Sequence, residues 1–103
     1  MSHPPPESAA SRPDFARCVV VYTGRVQGVG FRWTARALAQ RFPITGWVRN
    51  EPDRSVRLVA EGDRADITAY LAALRARMEE FILNENAAWE SPTGEFPAFD
   101  IRK

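Results

Sequence analysis

An α+β fold, a single sheet with two helices packed on one face, is predicted by three observations on this 103-residue chain. Apolar residues recur at helical spacing in two separate stretches, residues 35–42 and 67–78. β-branched or alternating segments stand before, between and after them. Glycine, proline and aspartate cluster at the joins, so the element order reads βαββαβ.

The first strand falls within residues 16–23, where Cys18-Val19-Val20-Val21-Tyr22 is β-branched and apolar on both faces, as in a central strand covered on at least one side. Ala35, Leu38, Ala39 and Phe42 then recur at i, i+3, i+4 and i+7, with Arg36, Gln40 and Arg41 opposite, which predicts an amphipathic helix stopped by Pro43. Residues 44–50 set Ile44, Gly46 and Val48 against Thr45, Trp47 and Arg49. Residues 55–61 set Val56, Leu58 and Ala60 against Arg57, Val59 and Glu61. The intervening Asn50-Glu51-Pro52-Asp53-Arg54 supplies turn chemistry for a hairpin. Asp63 is placed to cap a second helix, with Asp66 in its first turn and Ile67, Tyr70, Leu71, Leu74 and Met78 as its buried stripe. A further strand fits residues 81–90, Ser91-Pro92-Thr93-Gly94 breaks it, and residues 96–102 form a last strand with Phe99 and Ile101 inward. The expected architecture is a ferredoxin-like, split βαβ sandwich: an antiparallel-rich four- or five-stranded sheet with both helices on one face.

Composition narrows the function. Residues 1–14 hold Pro4, Pro5, Pro6 and Pro13 among serines and alanines, and read as a disordered Pro/Ser-rich tail. Residues 15–103 suffice for one compact domain, leaving no room for a second. Fourteen basic against thirteen acidic residues leave a net charge of +1, without the basic excess of a general nucleic-acid or membrane-surface binder. No apolar run approaches the ~18 residues of a membrane span. The lone Cys18 offers no intramolecular disulfide and fits a reducing compartment, so a cytoplasmic monomer is expected.

The segment richest in chemistry is Gly24-Arg25-Val26-Gln27-Gly28-Val29-Gly30-Phe31-Arg32, which runs from the first strand into the first helix. Glycines let a main chain turn several N–H groups toward one anion. Arg32 falls in the first helical turn, where its planar fork adds to the positive end of the helix dipole. Together they suggest a phosphate cradle. Other anion sites fit poorly. The Gly24 to Gly28 spacing and Val29 do not match a P-loop, and Trp33 stands where a dinucleotide fingerprint requires its third glycine. Cys18 lies six residues before the loop, in a strand pattern, and reads as core. The single histidine, His3, sits in the tail, so a serine triad or a histidine metal site has no anchor. Glu51, Asp53, Glu61, Asp63 and Asp66 read as solvated turn and cap residues, and no metal site is expected.

A site of amides and one arginine offers no strong general acid, nucleophile or metal. It can accelerate phosphoryl transfer by positioning and charge stabilisation when the leaving group departs unprotonated. Acyl phosphates satisfy that condition, because their carboxylate leaving group has a conjugate-acid pKa near ~4.

The nonapeptide, followed by Gly46-Trp47-Val48-Arg49-Asn50, closely resembles the two signatures of the acylphosphatase family, and the similarity runs from about Val19 to Arg102. The resemblance implies cofactor-free hydrolysis of the carboxyl-phosphate bond to a carboxylate and inorganic phosphate. It assigns Arg32 as the phosphate-binding catalytic arginine and Asn50 as the residue that holds the attacking water. Arg25, Val26, Gln27, Gly28, Val29, Gly30 and Phe31 correspond to the amide cradle, with Arg25 lending its N–H rather than its charge.

Three departures stand out. Arg54 occupies a turn position where the family usually has glycine, at a cost of ~1 kcal/mol or more if its backbone is left-handed. Glu51 adds a negative charge beside Asn50, although strand alternation aims it away. Residues 81–89 lack the small-residue and proline turn often seen after the second helix. Two other readings are a non-catalytic phosphate-binding module and an RNA or protein module using Tyr22, Trp47 and nearby arginines on the sheet. Trp33 and Trp89 receive no role, and the motif does not encode the acyl pocket.

Overall fold

A computed structural model describes residues 14–103, and the expected tail lies outside them apart from Asp14. The chain runs β1 (Phe15–Gly24), α1 (Phe31–Ala39), β2 (Thr45–Asn50), β3 (Val56–Asp63), α2 (Arg64–Met78), β4 (Ile82–Glu90) and β5 (Phe99–Arg102). The five strands form one sheet in the order β4-β1-β3-β2-β5. β1 pairs antiparallel with β3 and β4, and β2 pairs antiparallel with β3; only β5 runs parallel to its neighbour, β2. This is the ferredoxin-like α+β arrangement with an added edge strand.

Strand register explains why one face is core. Cys18, Val20 and Tyr22 lie opposite Ala60, Leu58 and Val56 of β3, and all six are fully buried. Val48 of β2 continues the layer beside Leu58. The helices close it with Phe31, Ala35 and Leu38 from α1 and Ile67, Tyr70, Leu71, Leu74 and Met78 from α2, the stripe its spacing predicts. Tyr70 links the helices: its hydroxyl donates to the carbonyl of Ala35 at 2.7 Å, and its ring packs edge-on against Phe42 and Phe99, with centroids 5.7 Å away in each pair. That hydrogen bond satisfies the polar tip of a side chain whose bulk serves the core.

Several boundaries shift for local reasons. α1 ends at Ala39 although Phe42 still packs on the core, because the last turn tightens into i to i+3 bonds (Arg41 N–H to Leu38 O, 3.0 Å; Phe42 N–H to Ala39 O, 3.2 Å) ahead of Pro43. Asp63 occupies the N-cap of α2 without a side-chain capping bond; the Arg64 N–H is taken instead by the Asp14 carbonyl at 3.0 Å. β5 begins at Phe99 rather than residue 96, since the preceding segment folds over the outer sheet face.

That outer face corrects the reading of Glu61 as a solvated carboxylate. Glu61 is 1% exposed. Its carboxylate accepts the N–H groups of Thr93 at 2.9 Å and Gly94 at 2.8 Å and the Thr93 hydroxyl at 3.2 Å, and Arg17 stands 3.6 Å away. A buried charge is tolerated when donors and a counter-ion surround it, and here they pin the 91–94 segment to the sheet. Trp47, on the same face, is covered by two guanidiniums, Arg49 and Arg102, each 4.9 Å from its ring. Tyr22 is fully buried and Trp47 nearly so, which removes both aromatics that an RNA-stacking sheet would present.

Gly46 holds β2 against β3. A Cβ there would lie 1.8 Å from the Val59 carbonyl oxygen, and its φ of 144° is outside the range other residues adopt comfortably. Gly46→Ala is expected to destabilise the protein by about 3 kcal/mol or more through backbone strain and overpacking, read as a lower midpoint in urea unfolding; an unchanged midpoint would contradict this packing.

Candidate active site

The glycine-rich segment leaves β1 at Gly24 and enters α1 at Phe31, held at two anchor points. Val26 and Phe31 are buried, and the Phe31 ring tilts against Tyr22 with centroids 4.8 Å apart. Between them Gly28 and Gly30 take left-handed φ values of 76° and 79°, a conformation glycine adopts without a steric cost. A Cβ at either would meet nothing within 4 Å, so these glycines answer to backbone shape and open space rather than to packing.

Among the described residues, no protein acceptor receives a main-chain N–H of residues 25–31. A run of unclaimed donors at a helix start is a ready anion site. α1 carries no acidic residue in its first turn, so the positive end of its dipole is not offset there.

Arg32, half-buried in that turn, makes no ion pair with a described residue. Asn50, half-buried at the end of β2, lies beside Val56, on the helix side of the sheet. Val26, Gly28, Gly30, Arg32, Asn50 and Ile101 line one cleft of about 200 Å³, with Trp33 at its edge. The fold thus brings Gly28, Gly30, Arg32 and Asn50 together on a common surface. Arg25, Gln27 and Val29 alternate to the other side of the loop, where they border a separate depression with Arg54.

Gln27 does something the sequence reading missed. Its side-chain amide donates to the carbonyls of Glu51 at 2.8 Å and Ser55 at 2.9 Å, fastening the loop to the β2–β3 turn next to Asn50. The signal was available: an amide side chain within a loop expected to contribute only N–H groups has donors left to place. Ile101 and Trp33 were also not assigned to the cleft.

Glu51 turns out as strand alternation predicts. Its carboxylate accepts from Arg49 Nη2 at 2.8 Å and Nε at 3.1 Å, with Arg57 Nε at 3.4 Å, so its charge is neutralised on the outer face. Arg54 does adopt the left-handed conformation, φ 75°. The turn survives because Arg54 N–H reaches the Glu51 carbonyl at 3.1 Å and the Asp53 carboxylate accepts the Ser55 N–H at 2.9 Å. The Ser55 hydroxyl, which donates to the same carboxylate at 2.5 Å, and then the Ser55 N–H hold the Asp53 carboxyl below its usual pKa. Arg54→Gly is expected to stabilise the fold by about 1 kcal/mol, raising the melting temperature by roughly 4–8 °C. A calorimetric scan showing no rise would mean the position is unstrained.

The remaining candidate nucleophile is excluded by environment. Cys18 is fully buried, and desolvation, followed by the charge of Glu85, pushes its thiol up to about 11. No group of three or more His, Cys, Asp or Glu side chains placed to hold a metal occurs among the described residues.

Comparison with known proteins identifies the family. The family model described as acylphosphatase matches residues 18–101. An acylphosphatase of Roseiflexus sp. is 41% identical over 93 residues, covering 85% of this chain and 96% of the relative. The solved acylphosphatase structure from Coxiella burnetii is 32% identical, with a TM-score of 0.66 over 86% of this chain and 94% of the other. The acylphosphatase structure from Bacillus subtilis superposes with a TM-score of 0.76 over 85% of this chain and 99% of its own, at 24% identity, and so speaks to the fold. With its family match spanning the sheet, both helices and the cleft, the chain belongs to the acylphosphatase family.

Proposed function

We propose that this protein hydrolyses acyl phosphates at the cleft between the 25–31 loop and Asn50. The observation that carries the reading is the set of unclaimed main-chain donors beside an arginine with no acidic partner among the described residues. The N–H groups of Arg25 to Phe31 and the Arg32 guanidinium bind the phosphoryl oxygens, a bidentate pairing that suits the planar fork. The Asn50 amide orients a water molecule for in-line attack on phosphorus. As the water oxygen bonds to phosphorus, the bond to the acyl oxygen breaks, and the carboxylate departs as an anion that needs no protonation at neutral pH. The water's proton passes to a phosphoryl oxygen, giving inorganic phosphate. Charge developing on the equatorial oxygens is met by donors already in place, which is where such sites gain most of their rate.

On this reading the protein acts as a single copy in the cytoplasm without a cofactor, because the leaving group requires neither an acid nor a metal. The buried reduced thiol of Cys18 fits that compartment. The test is continuous hydrolysis of benzoyl phosphate with a chelator present, comparing the wild type with Arg32→Ala. Turnover that survives the chelator and is lost in the variant supports the reading, whereas equal rates overturn it. Gel filtration at micromolar concentration reads the oligomeric state.

A further inference from the structure

Three tryptophans occur in the chain, and two of them carry a guanidinium on the ring: Trp47, which is buried, and Trp89, which is 39% exposed. Trp47 lies between two guanidiniums, and Trp89 sits beneath Arg64 at 4.3 Å. Trp33 differs. It is 69% exposed, and no cation or ring of the described residues packs on its indole. An uncovered indole contributes nothing to the core and leaves a large flat apolar surface in water.

Its position gives that surface a use. Trp33 follows Arg32 in the first turn of α1 and stands at the edge of the cleft that holds Asn50, Gly28 and Gly30. It also borders an adjoining depression of about 190 Å³ that continues along the exposed side of α1, with Arg36, Ala37 and Gln40 as the other walls. These residues stand at i, i+3, i+4 and i+7 on the helix, so the depression is a stripe leading away from the phosphate cleft. Trp33 borders both spaces, so an acyl group extending from a phosphoryl group held in the cleft toward α1 would meet its indole.

We propose that Trp33 is the acyl-binding platform of this enzyme: the acyl group lies flat against the indole, so the site favours acyl phosphates whose acyl group is aromatic or otherwise planar and unsaturated. This rests on the phosphoryl site proposed above. The preference arises from ring stacking and burial of apolar surface, neither of which a two-carbon acyl group can supply to the same extent. Trp33 is a specificity-determining residue here, distinct from the groups that contact phosphorus.

The experiment compares kcat/KM for benzoyl phosphate and acetyl phosphate in the full-length wild type, Trp33→Ala and Trp33→Phe. The benzoyl-to-acetyl ratio is expected to fall about tenfold in Trp33→Ala and to stay within about threefold of wild type in Trp33→Phe, as aromatic stacking contacts of this kind predict. Comparing ratios between variants cancels the different intrinsic reactivities of the two substrates. An unchanged ratio in Trp33→Ala, or an equal loss on both substrates, overturns the proposal and assigns the exposed indole to another partner. If the wild type hydrolyses neither compound, the catalytic reading fails. The platform is then judged by calorimetric binding of benzoylphosphonate against acetylphosphonate: loss of a benzoyl preference in Trp33→Ala upholds it, and equal binding of the two ligands by the wild type rejects it.

Discussion

Arg32→Ala is expected to lower kcat/KM for benzoyl phosphate by at least 10²- to 10³-fold, about 3–4 kcal/mol of transition-state stabilisation. The magnitude follows from where the side chain stands. It is half-buried at the cleft, beside a helix start with no acidic residue in its first turn, and no described carboxylate competes for it. A guanidinium so placed is available to the substrate, and its attraction to a dianion is screened less than that of a fully exposed arginine. The same vacancy of partners predicts that the variant keeps its stability, since no ion pair with a described residue is lost. Arg32→Lys should recover only part of the rate, because an ammonium retains the charge but not the two parallel donors. Inhibition by inorganic phosphate should weaken in parallel with activity in Arg32→Ala. An alanine variant that binds phosphate normally and turns over at the wild-type rate would remove this arginine from the chemistry.

The parts of the molecule governed by local pattern could be read directly from the residues. Side chains alternate along a strand, so Cys18, Val20 and Tyr22 face the core together, although a run apolar on both faces did not by itself say which residues would. Ile67, Tyr70, Leu71, Leu74 and Met78 face the core because 3.6 residues complete a helical turn. The loop was legible for a related reason, in that glycines at 28 and 30 declare a backbone shape before any tertiary contact exists. What could not be read depends on partners distant in sequence. Alternation puts Glu61 on the outer face correctly, but nothing local announces that Thr93 and Gly94, 32 and 33 residues later, fold back to cover it. Trp47 likewise appears as an exposed sheet aromatic until Arg102 arrives on the parallel strand β5. Gln27 reaches 24 and 28 residues ahead to the carbonyls of Glu51 and Ser55. Arg54 is a different case: the conflict between residue type and turn conformation was visible, and the structure resolves it by accepting the strained conformation.

That distant tie from Gln27 bears on the second large effect, because it fixes the turn that follows Asn50. Asn50→Ala is expected to reduce kcat by about 10²-fold, the order of loss that accompanies misplacement of a reacting group by ~1 Å, while leaving inorganic-phosphate inhibition near the wild-type value. The separation arises from geometry. Asn50 ends β2 on the wall of the cleft, whereas the proposed phosphate donors belong to the loop and to α1. On the proposed mechanism, removing the amide deprives the attacking water of its partner without disturbing the groups proposed to hold phosphorus. Stability should change little, since Asn50 donates no side-chain hydrogen bond to a described residue and the turn is closed by Glu51, Asp53 and Ser55. The discriminating measurement is the pair of constants rather than either alone. Loss of kcat with phosphate inhibition intact places Asn50 on the nucleophile. Equal loss of both would instead make it part of the phosphate site, and an unchanged kcat would leave the water to be oriented by the loop itself.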